Sequence, residues 1–199
     1  MAHSFQRGAG GTAVVRLDPT ERRVLRQLLR ELQTLLGSRP VAPDPAPGSP
    51  PETGFEADFQ AIVAGLEDQP RAGIAVTPAD PVLARLLPDA YAPEVEDGRA
   101  RSEFRRLTEA DLRAAKSGAA QTLLDALADD HARKIVVTAG DAEAWLASLN
   151  DLRLGLGVHL NVDEEGRRAP GPDDPDYGRF VVYAWLTELQ GSLIELLDP

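Results

Sequence analysis

Leucine and other apolar residues recur at helical spacing in several separate parts of this chain of 199 residues. The clearest stretch begins at Asp18, which is followed by a proline and, three residues later, by a glutamate, and its apolar stripe ends at Gly37; both ends are typical of a helix. Start signals of the same kind predict further helices from Thr53, Asp80, Thr108, Asp141 and Asp174. The helix at Thr108 continues or kinks from a shorter piece near Glu103. Because amphipathic helices must bury their apolar faces, the pattern predicts a helical bundle.

Two short runs of β-branched residues interrupt the helical pattern. Residues 13–17 and 135–137 are too short for helices and are typical of strands in a small sheet, with residues 5–7 as a hairpin partner across the turn at 8–11. The predicted fold is therefore mainly α, a bundle of about five to six helices with a small β-hairpin or three-stranded sheet.

One segment fits two kinds of secondary structure. The apolar residues of 144–160 match both helical spacing and strand alternation, but the length of the segment favours a helix that frays from Gly155. Trp145 in this segment and Trp185 in the last predicted helix each lie on an apolar stripe. We expect both indoles to be buried in a common or adjacent apolar cluster.

The chain is predicted to form a single regulatory domain, residues 1–199, with two interruptions. Between residues 37 and 54 there are six prolines and no apolar residue larger than valine, which indicates a linker. Residues 163–178 carry six acidic residues beside three prolines, which indicates a solvated acidic loop.

Charge and composition exclude several classes of function. The net charge of −11 repels phosphate backbones and anionic lipid, which disfavours DNA binding by the protein alone. No apolar run approaches the roughly 20 residues of a membrane span, and the start lacks the apolar region of a signal peptide. We therefore expect a cytoplasmic protein without membrane contact. The absence of cysteine excludes disulfides, thiolate catalysis and cysteine-ligated metal sites.

Two strings match ligand-binding motifs only in part. Residues 8–13 satisfy the loose glycine pattern of dinucleotide-binding loops, but β-branched residues follow where a helix is needed, so we predict a hairpin turn. Residues 161–172 resemble the opening of a calcium loop, but Pro172 stands where a bidentate glutamate is needed. The sequence thus predicts no cofactor, no metal site and no catalytic residue.

A basic patch lies in residues 99–116, where six basic residues against three acidic residues leave a local charge of +3. One interpretation is pairing within the helix, since Arg105 and Arg113 both lie four residues from Glu109. The other is a surface for an acidic partner, because guanidinium groups pair bidentately with carboxylates. The partner-binding candidates are Arg99, Arg101, Arg105, Arg106 and Arg113. Two neighbouring arginines cannot both satisfy Glu109, so the pair at 105 and 106 is expected to be exposed.

A second polar group interrupts the apolar segment 144–160. Asn150, Asp151 and Arg153 are residue types that normally need hydrogen-bond partners when they are buried. We interpret them as a buried polar network that involves the basic patch rather than as catalytic residues.

Four stretches of the chain together resemble an actinobacterial family. They are 80–91 (DPVLARLLPDAY), 103–116 (EFRRLTEADLRAAK), 144–160 (AWLASLNDLRLGLGVHL) and 182–197 (VYAWLTELQGSLIELL). These stretches are similar to a family of domains of unknown function, some of which are called AosR, for actinomycete oxidative stress regulator, and whose genes often neighbour the ClpS adaptor. None of the stretches is a catalytic or ligand-binding motif.

The resemblance implies a small cytoplasmic regulator that acts through protein contacts. Its implied partner is a protein such as a sigma factor or another part of the transcription machinery under oxidative stress. Because the chain has no cysteine, direct thiol sensing does not carry over, and a redox signal must come through a partner or be missing. Two other classes stay open, an enzyme with a carboxylate and arginine site and a DNA-binding regulator. The sequence also leaves self-association open.

Overall fold

A computed structural model describes residues 4–37, 80–88, 98–129, 132, 134–162 and 169–197. These residues form five α-helices, α1 (Pro19–Gly37), α2 (Pro81–Leu86), α3 (Gly98–Ala126), α4 (Ala139–His159) and α5 (Tyr177–Leu197). They also form three strands, β1 (Gln6–Arg7), β2 (Ala13–Val15) and β3 (Ile135–Val137). The prediction of a mainly helical fold with a small sheet is confirmed. The predicted helix from Thr53 and the proline-rich linker beyond Gly37 lie outside the described residues.

The three strands form one antiparallel sheet in the order β1-β2-β3. Val14 pairs with Gln6 on one side and with Val136 on the other. Between β1 and β2 the chain turns through Gly10 and Gly11, whose φ angles of 64° and 77° favour glycine. The glycine-rich string is therefore a hairpin turn, as predicted, and not the start of a nucleotide-binding helix.

Side-chain caps fix the starts of α1 and α2. The Asp18 carboxylate accepts hydrogen bonds from the backbone N–H groups of Thr20 (2.7 Å) and Glu21 (2.9 Å). The Glu21 carboxylate in turn accepts the backbone N–H of Asp18 at 2.8 Å, which completes a capping box. At α2, the Asp80 side chain accepts the N–H groups of Val82 and Leu83. Both helices begin where the sequence predicted.

Three other helix ends differ from the prediction. Helix α3 begins at Gly98, before the piece predicted near Glu103, and continues through Thr108 without a kink, which was one of the two predicted forms. The Thr108 hydroxyl donates to the Phe104 carbonyl instead of capping a new helix. Helix α4 begins at Ala139, because Thr138 and not Asp141 is its N-cap, and it stays helical to His159 without fraying from Gly155. Helix α5 begins at Tyr177, because the residues after Asp174 form a turn first.

Helix α4 lies at the centre of the molecule and packs against α2, α3 and α5. Its Trp145 is buried and contacts the ring of Phe5 edge to face, with 5.6 Å between ring centroids. The Phe5 N–H donates to Ser192 Oγ, which ties the sheet to α5. All four long helices contribute large, fully buried side chains to the core, among them Leu25, Leu29, Leu123, Leu149, Leu186, Leu189 and Leu193.

Candidate interaction surfaces and buried charges

Two arginines of α3 fasten the ends of two other helices. Arg105 and Arg113 both pair with Glu109, at 3.1 Å and 2.8 Å. Arg105 also donates to the Leu87 carbonyl at 3.0 Å, and Arg113 donates to the Leu36 carbonyl at 2.7 Å. These carbonyls lie at the C-terminal ends of α2 and α1, where backbone acceptors lack partners within the helix and attract positive charge.

The five predicted partner-binding arginines differ in their environments in the structure. The expected exposure of Arg105 is wrong: its side chain is 5% exposed, because the Leu87 carbonyl and Glu109 hold it in the interior. Arg113 is also mostly buried, whereas Arg106 is exposed. Arg99 and Arg101 belong to α3, but their side chains lie outside the described residues. A partner role of this patch remains a prediction, and Arg106 is its exposed member among the described side chains.

Asp151 is buried beside a lysine from the same patch. Its side chain is 3% exposed and accepts a hydrogen bond from Lys116 Nζ at 2.7 Å. Burial raises the pKa of Asp151 above the usual 3.8, and the hydrogen bond and charge of Lys116 offset part of that rise. The ion pair links α3 to α4, so the contact with the patch comes from Lys116 and not from an arginine.

Arg153 makes its contacts on the other side of α4. It donates to Thr187 Oγ1 at 2.9 Å and to the side-chain oxygen of Gln190, and its guanidinium lies 5.7 Å from the centroid of the Tyr183 ring. Residues two positions apart on a helix point in nearly opposite directions, which is why Arg153 and Asp151 do not meet. Asn150 is half-buried between these two directions. Asp151 and Arg153 therefore belong to two separate helix contacts, α3 with α4 and α4 with α5.

These contacts give the buried charges a structural explanation. Neither Asp151 nor Arg153 is among the lining residues of three surface grooves on α1, α4 and α5. Among the described residues, no three His, Asp or Glu side chains are placed together to hold a metal ion. Asp151 bonds Lys116 and joins α4 to α3, and Arg153 bonds Thr187 and Gln190 and joins α4 to α5.

Sequence reasoning missed an apolar groove between α1 and α5. Its volume is about 580 Å³, and Val24 of α1 and Trp185 of α5 are among its walls. Its aromatic lining consists of Tyr177, Phe180 and Trp185. Trp185 is only half-buried, so the expectation that both tryptophans are buried holds for Trp145 alone. The sequence signal that could have revealed the groove was the concentration of aromatic residues at 177–185, a segment that contains four of the ten aromatic residues of the chain.

Sequence reasoning also missed a basic face on α1. A second groove, of about 950 Å³, is lined by Arg23, Arg26 and Arg30. Arg22 also borders this groove, but its side chain is buried and donates to the carbonyls of Asp129 and Ala132. The spacing of the three groove arginines, three and four residues apart, is the signal that places them on one face.

Helix α5 has the length and hydropathy of a membrane-spanning helix, which the sequence analysis did not recognise. The helix has 21 residues and a mean hydropathy of 1.2 over its best 18-residue window, 17% of which is buried. Its Leu186, Leu189 and Leu193 pack in the core, and Gln190 accepts a hydrogen bond from Arg153. Such contacts are those of a helix in a folded domain, and the absence of membrane contact stays a prediction.

The fold and these contacts define a class of small helical domain, in which buried charges join helices and the outer helices α1 and α5 carry open grooves. By sequence the chain belongs to the family described as Domain of unknown function (DUF2017), which it matches over residues 2–197. No solved structure matches it.

Similar proteins carry the name of oxidative stress regulators. A protein of Mycobacterium leprae (strain TN) with the AosR name is 34% identical over 186 residues, which cover 88% of this chain and 78% of that protein. The oxidative stress regulators AosR of Mycobacterium tuberculosis (strain H37Rv) and Mycobacterium bovis are 42% identical over 138 residues, 64% of this chain. This match spans 62% of the length of those two proteins, less than two thirds. The predicted resemblance is confirmed, and the named relatives are regulators, not enzymes.

Proposed function

We propose that this protein is a non-enzymatic regulator of the response to oxidative stress and that it acts by binding another protein. The names of its relatives support a role in the response to oxidative stress. One structural observation supports action by protein binding. On helix α5, Tyr177 and Val181 are exposed one turn apart, while Leu186, Leu189 and Leu193 on the other side of the helix pack in the core. Large apolar side chains that stay on the surface of a folded domain are typical of protein-binding surfaces.

The proposed partner belongs to the transcription machinery, such as a sigma factor, and the proposed location is the cytoplasm. A regulator of this kind needs a signal. Because the chain contains no cysteine, the proposal places the oxidant-sensitive group on the partner.

An enzyme is the alternative that a specific observation favours, because the raised pKa of Asp151 is a feature of many catalytic carboxylates. The ion pair with Lys116 and the burial of Asp151 explain that rise without catalysis. Replacing both residues with apolar ones of similar volume, Lys116→Met with Asp151→Leu, should leave the fold intact, since such exchanges of buried pairs are often neutral or stabilising. An enzyme that depends on Asp151 would lose its activity in this variant.

The test is made in the organism that encodes the protein. Deleting the gene should change the transcript response to hydrogen peroxide, and both the wild-type gene and the Lys116→Met, Asp151→Leu variant should restore that response at equal protein levels. An unchanged response in the deletion strain would contradict the proposed function. A variant that is folded but fails to restore the response would favour the enzyme.

A further inference from the structure

We infer that the apolar groove between α1 and α5 binds a basic amphipathic helix of a partner protein. This inference rests on the proposed function and adds to it the surface and the chemistry of the partner. The groove is formed by Thr20, Glu21 and Val24 of α1, by residues 169 and 170, and by the first half of α5 from Tyr177 to Glu188.

The floor of the groove has the composition of a binding surface. Tyr177 and Val181 are exposed, and Phe180 and Trp185 are half-buried beside them. Aromatic side chains supply large apolar area with few rotatable bonds, which is why they are enriched at the centres of protein interfaces. Only 17% of the apolar window of α5 is buried. The solvent-facing side of this helix is therefore available for contact with a partner.

The length of the groove suits a helix. Eleven residues separate Tyr177 from Glu188 along α5, a distance of about 16 Å at 1.5 Å per residue. A partner helix of about three turns covers that length and places apolar residues at i, i+3 or i+4, and i+7 on the floor.

The charge around the groove selects a basic partner. Glu21 and the exposed Glu188 lie among its lining residues, and the exposed Asp173 belongs to the turn that leads into α5. Arg179, the basic residue in the described part of that region, is paired with Asp176 at 3.1 Å. Arg167 and Arg168, which precede residue 169 in the sequence, lie outside the described residues. Lysine or arginine beside the apolar anchors of the partner would meet these carboxylates and speed association.

The same charge argues against three other occupants. A second copy of this chain would bring a second acidic rim against the first, and an anionic lipid surface would also be repelled. Residues 52–68 of the chain itself have apolar residues at helical spacing, but they contain five acidic residues and no basic one. A basic helix from another protein is the occupant that both the floor and the rim favour.

The probe is a fluorescein-labelled synthetic helix of about 16 residues, with leucine and phenylalanine on one face and lysine beside them. A second peptide has glutamate in place of every lysine. Fluorescence anisotropy with the full chain should show the lysine peptide binding about tenfold or more tightly than the glutamate peptide, with an affinity that falls as salt is added. Equal affinities for the two peptides would overturn the inference.

Two matched variants locate the binding. Val181 in the groove and Val136 on β3 are 48% and 49% exposed. Val181→Asp should weaken binding of the lysine peptide about tenfold or more, and Val136→Asp should leave it unchanged. The chain has two tryptophans, and only Trp185 lines the groove, so binding should shift the NMR signals of the Trp185 indole ring and leave those of Trp145 unchanged. Equal binding by both variants would overturn the inference.

Sedimentation of the protein alone tests whether a second copy of this chain occupies the groove. A dimer that Val181→Asp dissociates and Val136→Asp does not would show a second copy in the groove and would overturn the inference. If the peptide does not bind, the inference about the groove is overturned, while the proposed function is still tested separately by deletion and complementation. If the deletion strain has an unchanged stress response but the peptide binds specifically, the regulatory function is rejected and the inference that the groove binds a basic helix stands.

Discussion

Arg105 and Arg106 are neighbours in the sequence and have opposite environments in the structure. The sequence could predict that Arg105 and Arg113 pair with Glu109, because that pairing depends only on spacing within one helix. It could not predict that Arg105 bonds the Leu87 carbonyl, because that contact depends on where α2 ends beside α3. The burial of a charged side chain is therefore decided by the packing of elements and not by its local pattern.

The two arginines should differ sharply in stability experiments. Arg105→Met leaves the Leu87 carbonyl without this donor in the interior, while Glu109 keeps Arg113 as its partner, and we expect the change to lower the free energy of unfolding by about 1 to 3 kcal/mol. The exposed Arg106→Met is the control, and we expect a change within about 0.5 kcal/mol. Urea unfolding measures both. Equal effects at the two positions would contradict the interior position of Arg105.

Asp151 should make stability depend on pH in a defined direction. Since its pKa is raised above 3.8 in the folded state, the folded protein binds more protons than the unfolded chain between the two pKa values. The contribution of this group is thus present at low pH and is lost as pH rises through the folded pKa. Relative to Asp151→Asn, the wild type should lose stability in urea as the pH rises above 3.8. A constant difference between them would be inconsistent with the raised pKa.

At the scale of elements, the sequence predicted helices well and some of their ends poorly. The start of α1 was predictable because Asp18 and Glu21 bond each other's backbone N–H groups within one turn. The start of α3 was not, because the signal at Thr108 lies inside a helix whose flanks are held by Arg105 and Arg113 through bonds to other helices. The groove was also not predictable, since it exists only where α1 and α5 come together.

The difference between a real cap and a false one can be measured. Asp18→Ala removes two hydrogen bonds to backbone N–H groups, and we expect it to cost about 1 kcal/mol of stability. Thr108→Ala removes a hydroxyl that bonds only within the helix, and we expect a change within about 0.5 kcal/mol. Thermal unfolding of the two variants compares them. A larger loss for Thr108→Ala would support a helix start at that position.

At the scale of the whole molecule, charge sets the choice of partner. The chain carries −11 overall, and two arginines of its basic patch are used to fasten helices. Arg23, Arg26 and Arg30 of α1 form a second basic face, of which Arg23 and Arg30 are exposed. The negative charge of the rest of the chain opposes nucleic-acid binding at this face. Protein contact, rather than contact with a phosphate backbone, fits this distribution.

The isolated protein should accordingly bind DNA weakly and without sequence preference. Few phosphate contacts are possible, and their contribution falls steeply with salt. Anisotropy of labelled duplexes at physiological salt measures the affinity. Nanomolar binding to one sequence, with much weaker binding to a shuffled sequence, would support a DNA-binding regulator instead.

The most direct measurement of regulation through α5 is complementation of the deletion strain with matched surface variants. The strain receives the wild-type gene, Val181→Asp or Val136→Asp at equal protein levels, and the transcript response to hydrogen peroxide is recorded. Regulation by protein contact through the groove predicts that Val136→Asp restores the response and that Val181→Asp, although folded, does not. Full restoration by Val181→Asp would contradict it.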